Sequence, residues 1–235
     1  MEQINLIEYL MAFGLTRQEA VIYLSLSGNG IQNGYEISKA TGISRSNAYS
    51  GLSGLVEKGA AYVMEGKTKR YAPVEPEEFC ANKIRSLEEK KVYLTEHMPR
   101  ERKETDGYLT ITGDEHIIDK IYHMMDQVQY RMYLSMAKVY LLPFLPKIRE
   151  LAVQGKKVVI LTDEAMEMEG IQVYQTQTKG SQIGIITDSS YVLIGELGNQ
   201  KNSVCLYSGQ KNFVKVFKDS LSNEIKLTEL VKEKK

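Results

Sequence analysis

Apolar residues recur first at helical spacing and later, past residue 105, in alternating and helical stretches by turns. Ile4, Ile7, Leu10 and Met11 predict a helix over residues 3–13, ended by Gly14. Thr16 with Glu19 three positions on is a capping box. It opens a second helix whose apolar positions are Ala20, Val21, Tyr23, Leu24 and Leu26, stopped by Gly28-Asn29-Gly30. A short helix near Gly34–Thr41 then presents Ile37 and Ala40 inward. Gly42 supplies a turn, Ile43 plugs the core, and Ser44 caps the next helix, which carries Ala48, Leu52, Leu55 and Val56 on one face. Gly59 stops it. Ala61–Met64 alternate as a strand, and Glu65-Gly66-Lys67 turns into a return strand at Arg70–Ala72. Pro73 and Pro76 mark the edge of this region.

Between residues 77 and 98 the rhythm changes. Cys80, Ile84, Leu87, Lys91, Leu94 and Met98 follow the alternating four-and-three spacing of a coiled-coil seam, which Lys91 interrupts. Such a helix packs either on a second copy or along its own C-terminal domain, and the spacing fits both. Pro99 and residues 100–107 read as a polar hinge. Beyond it the pattern predicts a strand at Tyr108–Thr112, a helix at Gly113–Tyr130 with Ile117, Ile118, Ile121 and Met125, and a strand at Met132–Met136. A helix at Tyr140–Gln154 follows, stopped by Gly155, and then the apolar strand Lys157–Leu161. Strands at Ile171–Gln175, Ile183–Thr187, Tyr191–Ile194 and Val204–Tyr207 precede a last helix at Lys211–Val231. The expected class is α+β: a helical unit closed by a hairpin at 1–75, a linker helix and hinge at 76–104, and an α/β sandwich with a parallel-rich sheet at 105–235.

Helix, tight turn, helix and hairpin in that order make a winged helix-turn-helix, whose second helix enters a DNA major groove. The face opposite Leu52 offers Arg45, Ser46, Asn47, Tyr49, Ser50 and Ser53. An ordinary solvated face carries more Glu and Lys in i, i+4 pairs. Small polar side chains with one Arg and one Tyr lose little on desolvation against base edges. Arg45, Ser46, Asn47 and Ser50 are therefore the candidates for base edges, with Tyr49 reaching base or phosphate. Lys67, Lys69 and Arg70 in the wing are candidates for the sugar-phosphate backbone, and Arg17 for a further phosphate.

Charge tempers this picture. Lys plus Arg and Asp plus Glu number 30 each over the 235 residues, so bulk charge points to neither nucleic acid nor membrane. Residues 1–75 are equally balanced, with the cations concentrated at Lys67, Lys69 and Arg70. A homodimer doubles that patch, and its two-fold symmetry implies double-stranded DNA with a near-palindromic operator. Cys80 and Cys205 match no metal or redox spacing. His97 falls in the linker helix. His116 and His123 are two helical turns apart, about 10 Å, too far for one metal ion. The apolar content, 43%, is ample for packed cores, yet no run approaches the roughly 20 residues of a membrane span, and no signal peptide is visible. A cytoplasmic protein without cofactor, metal or membrane partner is expected.

The stretches FGLTRQEAVIYLSLSGNG and GYEISKATGISRSNAYSGLSGLVEKGAAYVMEGKTKRYAPVEPEEF resemble the TrmB-type family of prokaryotic regulators. Its leading motif stands here as Gly14-Leu15-Thr16 with Glu19-Ala20. Tyr49, Leu52, Leu55 and Gly59 follow, and the Arg70-Tyr71 wing strand precedes Pro73. The resemblance covers about the first 100 residues and implies DNA-binding transcription regulation; a MarR-like relative shares much of the same local pattern. The second half is similar to the phospholipase-D-like domain of such regulators. That family's enzymes use His-x-Lys-x4-Asp, the His as phosphoryl-accepting nucleophile and the Lys as charge stabiliser. Aligned on Asp188, this chain has Ser181 and Ile183 in the first two places, so no catalytic residue is expected. A targeted phosphodiesterase is the competing reading from another class, and a protein-interaction module a third. The further sugar-binding domain of some members is expected to be absent. A small-molecule effector, of unknown identity, is an expectation by analogy. Met124, Met125, Met132, Met136, Tyr133 and Tyr140 are either its pocket or ordinary core.

Overall fold

The computed structural model describes residues 2–99 and 107–232, which fall in two compact units, Met1–Glu101 and Arg102–Lys235. In the first unit, helices α1 (Glu2–Ala12), α2 (Arg17–Asn29), α3 (Gly34–Thr41) and α4 (Arg45–Glu57) precede a hairpin of β1 (Ala61–Met64) and β2 (Arg70–Pro73) and then a long α5 (Pro76–His97). Local chemistry sets these boundaries. The Thr16 hydroxyl accepts the Glu19 N–H at 3.2 Å, and the Glu19 carboxylate accepts the Thr16 N–H at 2.6 Å. Asn33 and Glu36 repeat the box at the start of α3. Gly42 closes α3 at a φ of 72°, a conformation that favours glycine.

A core of Ile22, Tyr23, Leu26, Ile37, Leu52 and Phe79, among others, fills the unit. Ala40, expected inward, is exposed in the last turn of α3. The Gly42 turn brings Ile43 back onto the core instead. The wing is anchored at its base, where Gln32 and Tyr71 exchange backbone hydrogen bonds of 3.0 and 2.8 Å. The Tyr23 hydroxyl donates to the Val74 carbonyl at 2.7 Å, tying α2 to the exit of the hairpin. Beyond Phe79 and the half-buried Cys80, α5 is solvated: Ile84, Leu87, Leu94 and Met98 of the expected seam are all exposed.

The second unit runs β3 (Leu109–Thr112), α6 (Asp114–Asp126), β4 (Arg131–Ser135), α7 (Lys138–Leu141), α8 (Leu145–Val153), β5 (Lys157–Thr162), β6 (Gln172–Gln175), β7 (Gln182–Thr187), β8 (Tyr191–Glu196), β9 (Val204–Ser208) and α9 (Lys211–Lys232). The strands form one seven-stranded sheet in the order β3-β9-β8-β7-β4-β5-β6. Only β4–β5 and β5–β6 are parallel, so the expected parallel-rich sheet is in fact mostly antiparallel. The reason is connection length: β7, β8 and β9 follow one another through loops with no room for a crossover helix. Alternation along the strands sends Met132, Leu134, Ile160, Ile185 and Leu193 to the face covered by α6 and α8. Ile186 and Val192 face the other way, under Val214 of α9.

Two predicted helices are shorter than their apolar rhythm. The one expected to reach Tyr130 ends at Asp126. There the Asp188 carboxylate accepts the backbone N–H groups of Gln129, Tyr130 and Arg131 at 2.8, 2.8 and 2.9 Å, bending the chain into β4. The one expected over Tyr140–Gln154 is cut into α7, a 3-10 turn at Leu142–Phe144, and α8. Pro143 and Pro146 lack the N–H groups that a continuous helix needs. The methionines at 124, 125, 132 and 136 are core. The hinge expected at 100–107 lies, apart from Gly107, outside the described residues. Among those described, no helix is long and apolar enough to cross a membrane, and no cluster of three His, Cys, Asp or Glu is placed to hold a metal.

Candidate nucleic-acid interface

Helix α4 shows a sharp division of faces. Ala48, Gly51, Leu52 and Leu55 are buried, while Arg45, Ser46, Asn47, Tyr49, Ser50 and Ser53 are exposed. Two close approaches seat the buried face on α2. A Cβ at Gly51 would overlap Ile22, and one at Gly54 would overlap the Glu19 carboxylate. Glu19 is itself buried and pairs with Lys58, just past α4, at 2.5 Å. Burial works against its charge, but the bonds from Lys58 and Thr16 prevail and hold its pKa below the ordinary 4.5. The helix that carries the candidate residues is thus fixed at its C-terminal end by a small-residue face and a buried carboxylate.

Its N-terminal end is arranged by α3. The Arg45 guanidinium lies 4.6 Å from the centroid of the Tyr35 ring, within cation–π range. Tyr49 rests on Gly34, where any Cβ would overlap its ring. Tyr35 and Tyr49 remain 51% and 46% exposed, so the first turns of α3 and α4 together present two aromatic rings and a cation to solvent. The Ser44 hydroxyl accepts the Asn47 N–H at 3.4 Å and lies as close to Ser46, which fixes the entry to α4.

The remaining predicted residues separate into three situations. Lys67 is exposed at the wing tip, and Lys69 meets Glu65 at 3.5 Å in a solvated pair of little net strength. Arg70 is engaged within the chain: its guanidinium donates to the Ile31 carbonyl at 2.8 Å and sits 3.2 Å from Glu36. Arg17 is exposed in the first turn of α2, the turn whose Glu19 meets Lys58. That places it at the opposite end of α4 from Arg45, about 20 Å away along the helix. The sequence reading overlooked Tyr35, the Glu36–Arg70 pair, and the glycines at 34, 51 and 54. The Asn33-x-x-Glu36 box was a visible signal for the start of α3; the partner of Arg70 had none.

Residues 10–77 match the family described as sugar-specific transcriptional regulator TrmB. The chain is similar to the HTH-type sugar sensing transcriptional regulator TrmBL1 of Pyrococcus furiosus, 28% identical over 137 residues that cover 56% of this chain and 40% of that protein. It spans about half the length of the curated relatives it matches. Among solved structures it resembles TrmBL2, an archaeal chromatin protein with a novel mode of DNA binding, at 19% identity and a TM-score of 0.44, covering 95% of this chain and 98% of that one. The phospholipase D family member Nuc from Salmonella typhimurium matches 50% of this chain and 93% of its own at 13% identity and a TM-score of 0.36. Both TM-scores are low, and the fold stands on its own element order. Over the winged helix-turn-helix stretch, residues 10–77, the chain is similar to the TrmB family.

Proposed function

We propose that the protein is a sequence-specific DNA-binding transcription regulator that works as a homodimer in the cytoplasm. The observation that carries the reading is the exposed face of α4, polar along its length and headed by Arg45 held on Tyr35. In the complex Arg45, Ser46, Asn47 and Ser50 read base edges, Tyr49 meets base or phosphate, and Lys67 and Lys69 hold the backbone of the adjoining groove. Arg70 contributes through the shape of the wing, because Glu36 and the Ile31 carbonyl already occupy it.

A unit with balanced charge binds weakly alone, which favours two copies on a near-palindromic site with half-sites about 10–11 base pairs apart or a multiple. The exposed seam of α5, Ile84, Leu87, Leu94 and Met98, supports a second copy as its partner. The second unit serves assembly or effector sensing, not catalysis. Ile183, at the place of the family's lysine, is buried in the core, and Asp188 is spent on three backbone N–H groups. Selection of bound genomic fragments, followed by titration of one such duplex against salt, tests the proposal. Affinity should fall steeply as salt rises; absence of salt-dependent binding to every duplex would refute it.

A further inference from the structure

Between the sheet and α9 lies a cavity of about 350 Å³, at the small end of ligand sites. Its floor is Gly184, on a sheet face where neighbouring strands present side chains. A Cβ there would touch only Ser135, at an ordinary 3.8 Å, so the space is left open by the glycine and not by crowding. Ser135 is 7% exposed and lines the cavity, and its hydroxyl makes no hydrogen bond among the described residues. The hydroxyl oxygen is open to the cavity rather than sealed off, so it is free to bond an occupant. Ile194, Phe217 and Leu221 supply apolar wall.

Charge then narrows the occupant. Lys179 and Glu224 pair with each other at one side. Glu196 has no ion pair among the described residues, so one lysine against two glutamates leaves the lining with one excess negative charge. Gln182 stands directly across from Glu196 in the register of β7 and β8. Ser135 lies two strands away from Glu196, about 10 Å across the sheet.

We propose that this cavity binds a small amphipathic organic amine. Its ammonium pairs with Glu196 and donates to the side-chain carbonyl of Gln182. Its apolar body lies against Phe217 and Leu221, and a polar group at its far end satisfies Ser135. An anionic ligand would face two carboxylates, with the lysine already taken. The inference supplies the sensor part of the regulator reading and rests on it for its biological meaning, although binding itself does not depend on DNA.

Tyramine has the required charge, ring and terminal hydroxyl, and is the probe. Calorimetry on the full chain should show tyramine binding at least tenfold tighter than 4-ethylphenol, which lacks the amine, or 4-hydroxyphenylacetate, which reverses the charge. Glu196→Gln should remove that preference. Gly184→Val should abolish binding by filling the floor, and Ser135→Ala should weaken it severalfold if the floor variant does not fold. Equal binding of the three compounds, no saturable binding of tyramine, or an unchanged preference in Glu196→Gln would each overturn the proposal. DNA affinity measured without tyramine tests the regulator reading separately, so a chain that binds DNA but not tyramine overturns this inference alone.

Discussion

Helices α5 and α9 are both 22 residues long, yet α9 leaves only Val216, Leu227 and Leu230 of its large apolar residues exposed among those described, whereas α5 exposes most of its own. Helix α9 lays Phe213, Val214, Phe217 and Leu221 on the sheet, over Ile186 and Val192. Helix α5 buries Phe79 near its start and leaves Ile84, Leu87, Leu94 and Met98 in water. An amphipathic rhythm therefore does not say whether a helix's own chain covers its apolar positions. The same distinction holds on a smaller scale in α4, where one face is seated on α2 and the other is open to solvent.

The sharpest test of the contrast is to place a charge on each helix. Val214→Asp buries an unpaired carboxylate and should destabilise the second unit by about 3 kcal/mol or more, read by denaturant unfolding. Leu87→Asp, at a position 53% exposed, should change unfolding of the monomer by less than about 0.5 kcal/mol. It should nevertheless shift sedimentation toward the monomer, with about 2 kcal/mol lost per desolvated leucine of the seam. A Leu87→Asp protein that sediments as wild type would remove α5 from the proposed dimer.

Within the first unit, Gly54→Ala pushes a methyl into the Glu19 carboxylate and should cost about 1–3 kcal/mol, whereas Ser53→Ala next to it, on the open face, should leave unfolding nearly unchanged. Tyr35→Ala should leave the fold and the salt dependence of DNA binding intact. It should reduce the ratio of specific to non-specific affinity about fivefold, for a cation–π contact of about 1 kcal/mol, and Tyr35→Phe should restore the ratio. The smallest and most gradual effect is acid destabilisation. Because the Glu19 pKa lies below 4.5 in the folded chain, its contribution is present above that pH and fades as pH falls through the folded value. Denaturant midpoints of the first unit should therefore drop below about pH 4.5 more steeply in wild type than in Glu19→Gln.

Much of the first unit was legible because its boundaries are made by neighbours in sequence. The Thr16 cap, the Gly42 turn and the stripe from Ala48 to Leu55 each need no knowledge of distant residues. The errors arose where a distant group decides. Asp188 turns the chain after α6 by accepting the Gln129 N–H from 59 residues away, and Glu36 captures Arg70 from 34 residues away. The sheet was misjudged because KVVIL, in β5, has the continuous apolar run of a parallel strand, and β7 and β8 elsewhere in the sheet are nearly as apolar while pairing antiparallel. Burial on both faces produces that composition whichever way the strand runs. The candidate residues of α4 were readable as a polar face, but Tyr35, which arranges Arg45, was not, since it belongs to another helix.

The carboxylate of Asp188 carries one more consequence. Its residue sits at a φ of 50° and anchors the turn that launches a central strand, and although burial opposes its charge, the N–H groups of Gln129, Arg131 and Tyr130, with Lys156 nearby, keep its pKa below 3.8. In a mutational scan it would score as indispensable, and in a motif search it would match the last letter of a catalytic signature. The three N–H groups it accepts suffice to account for the first signal. A carboxylate that holds three backbone N–H groups is fixed by the chain's own path, whatever else its surroundings do.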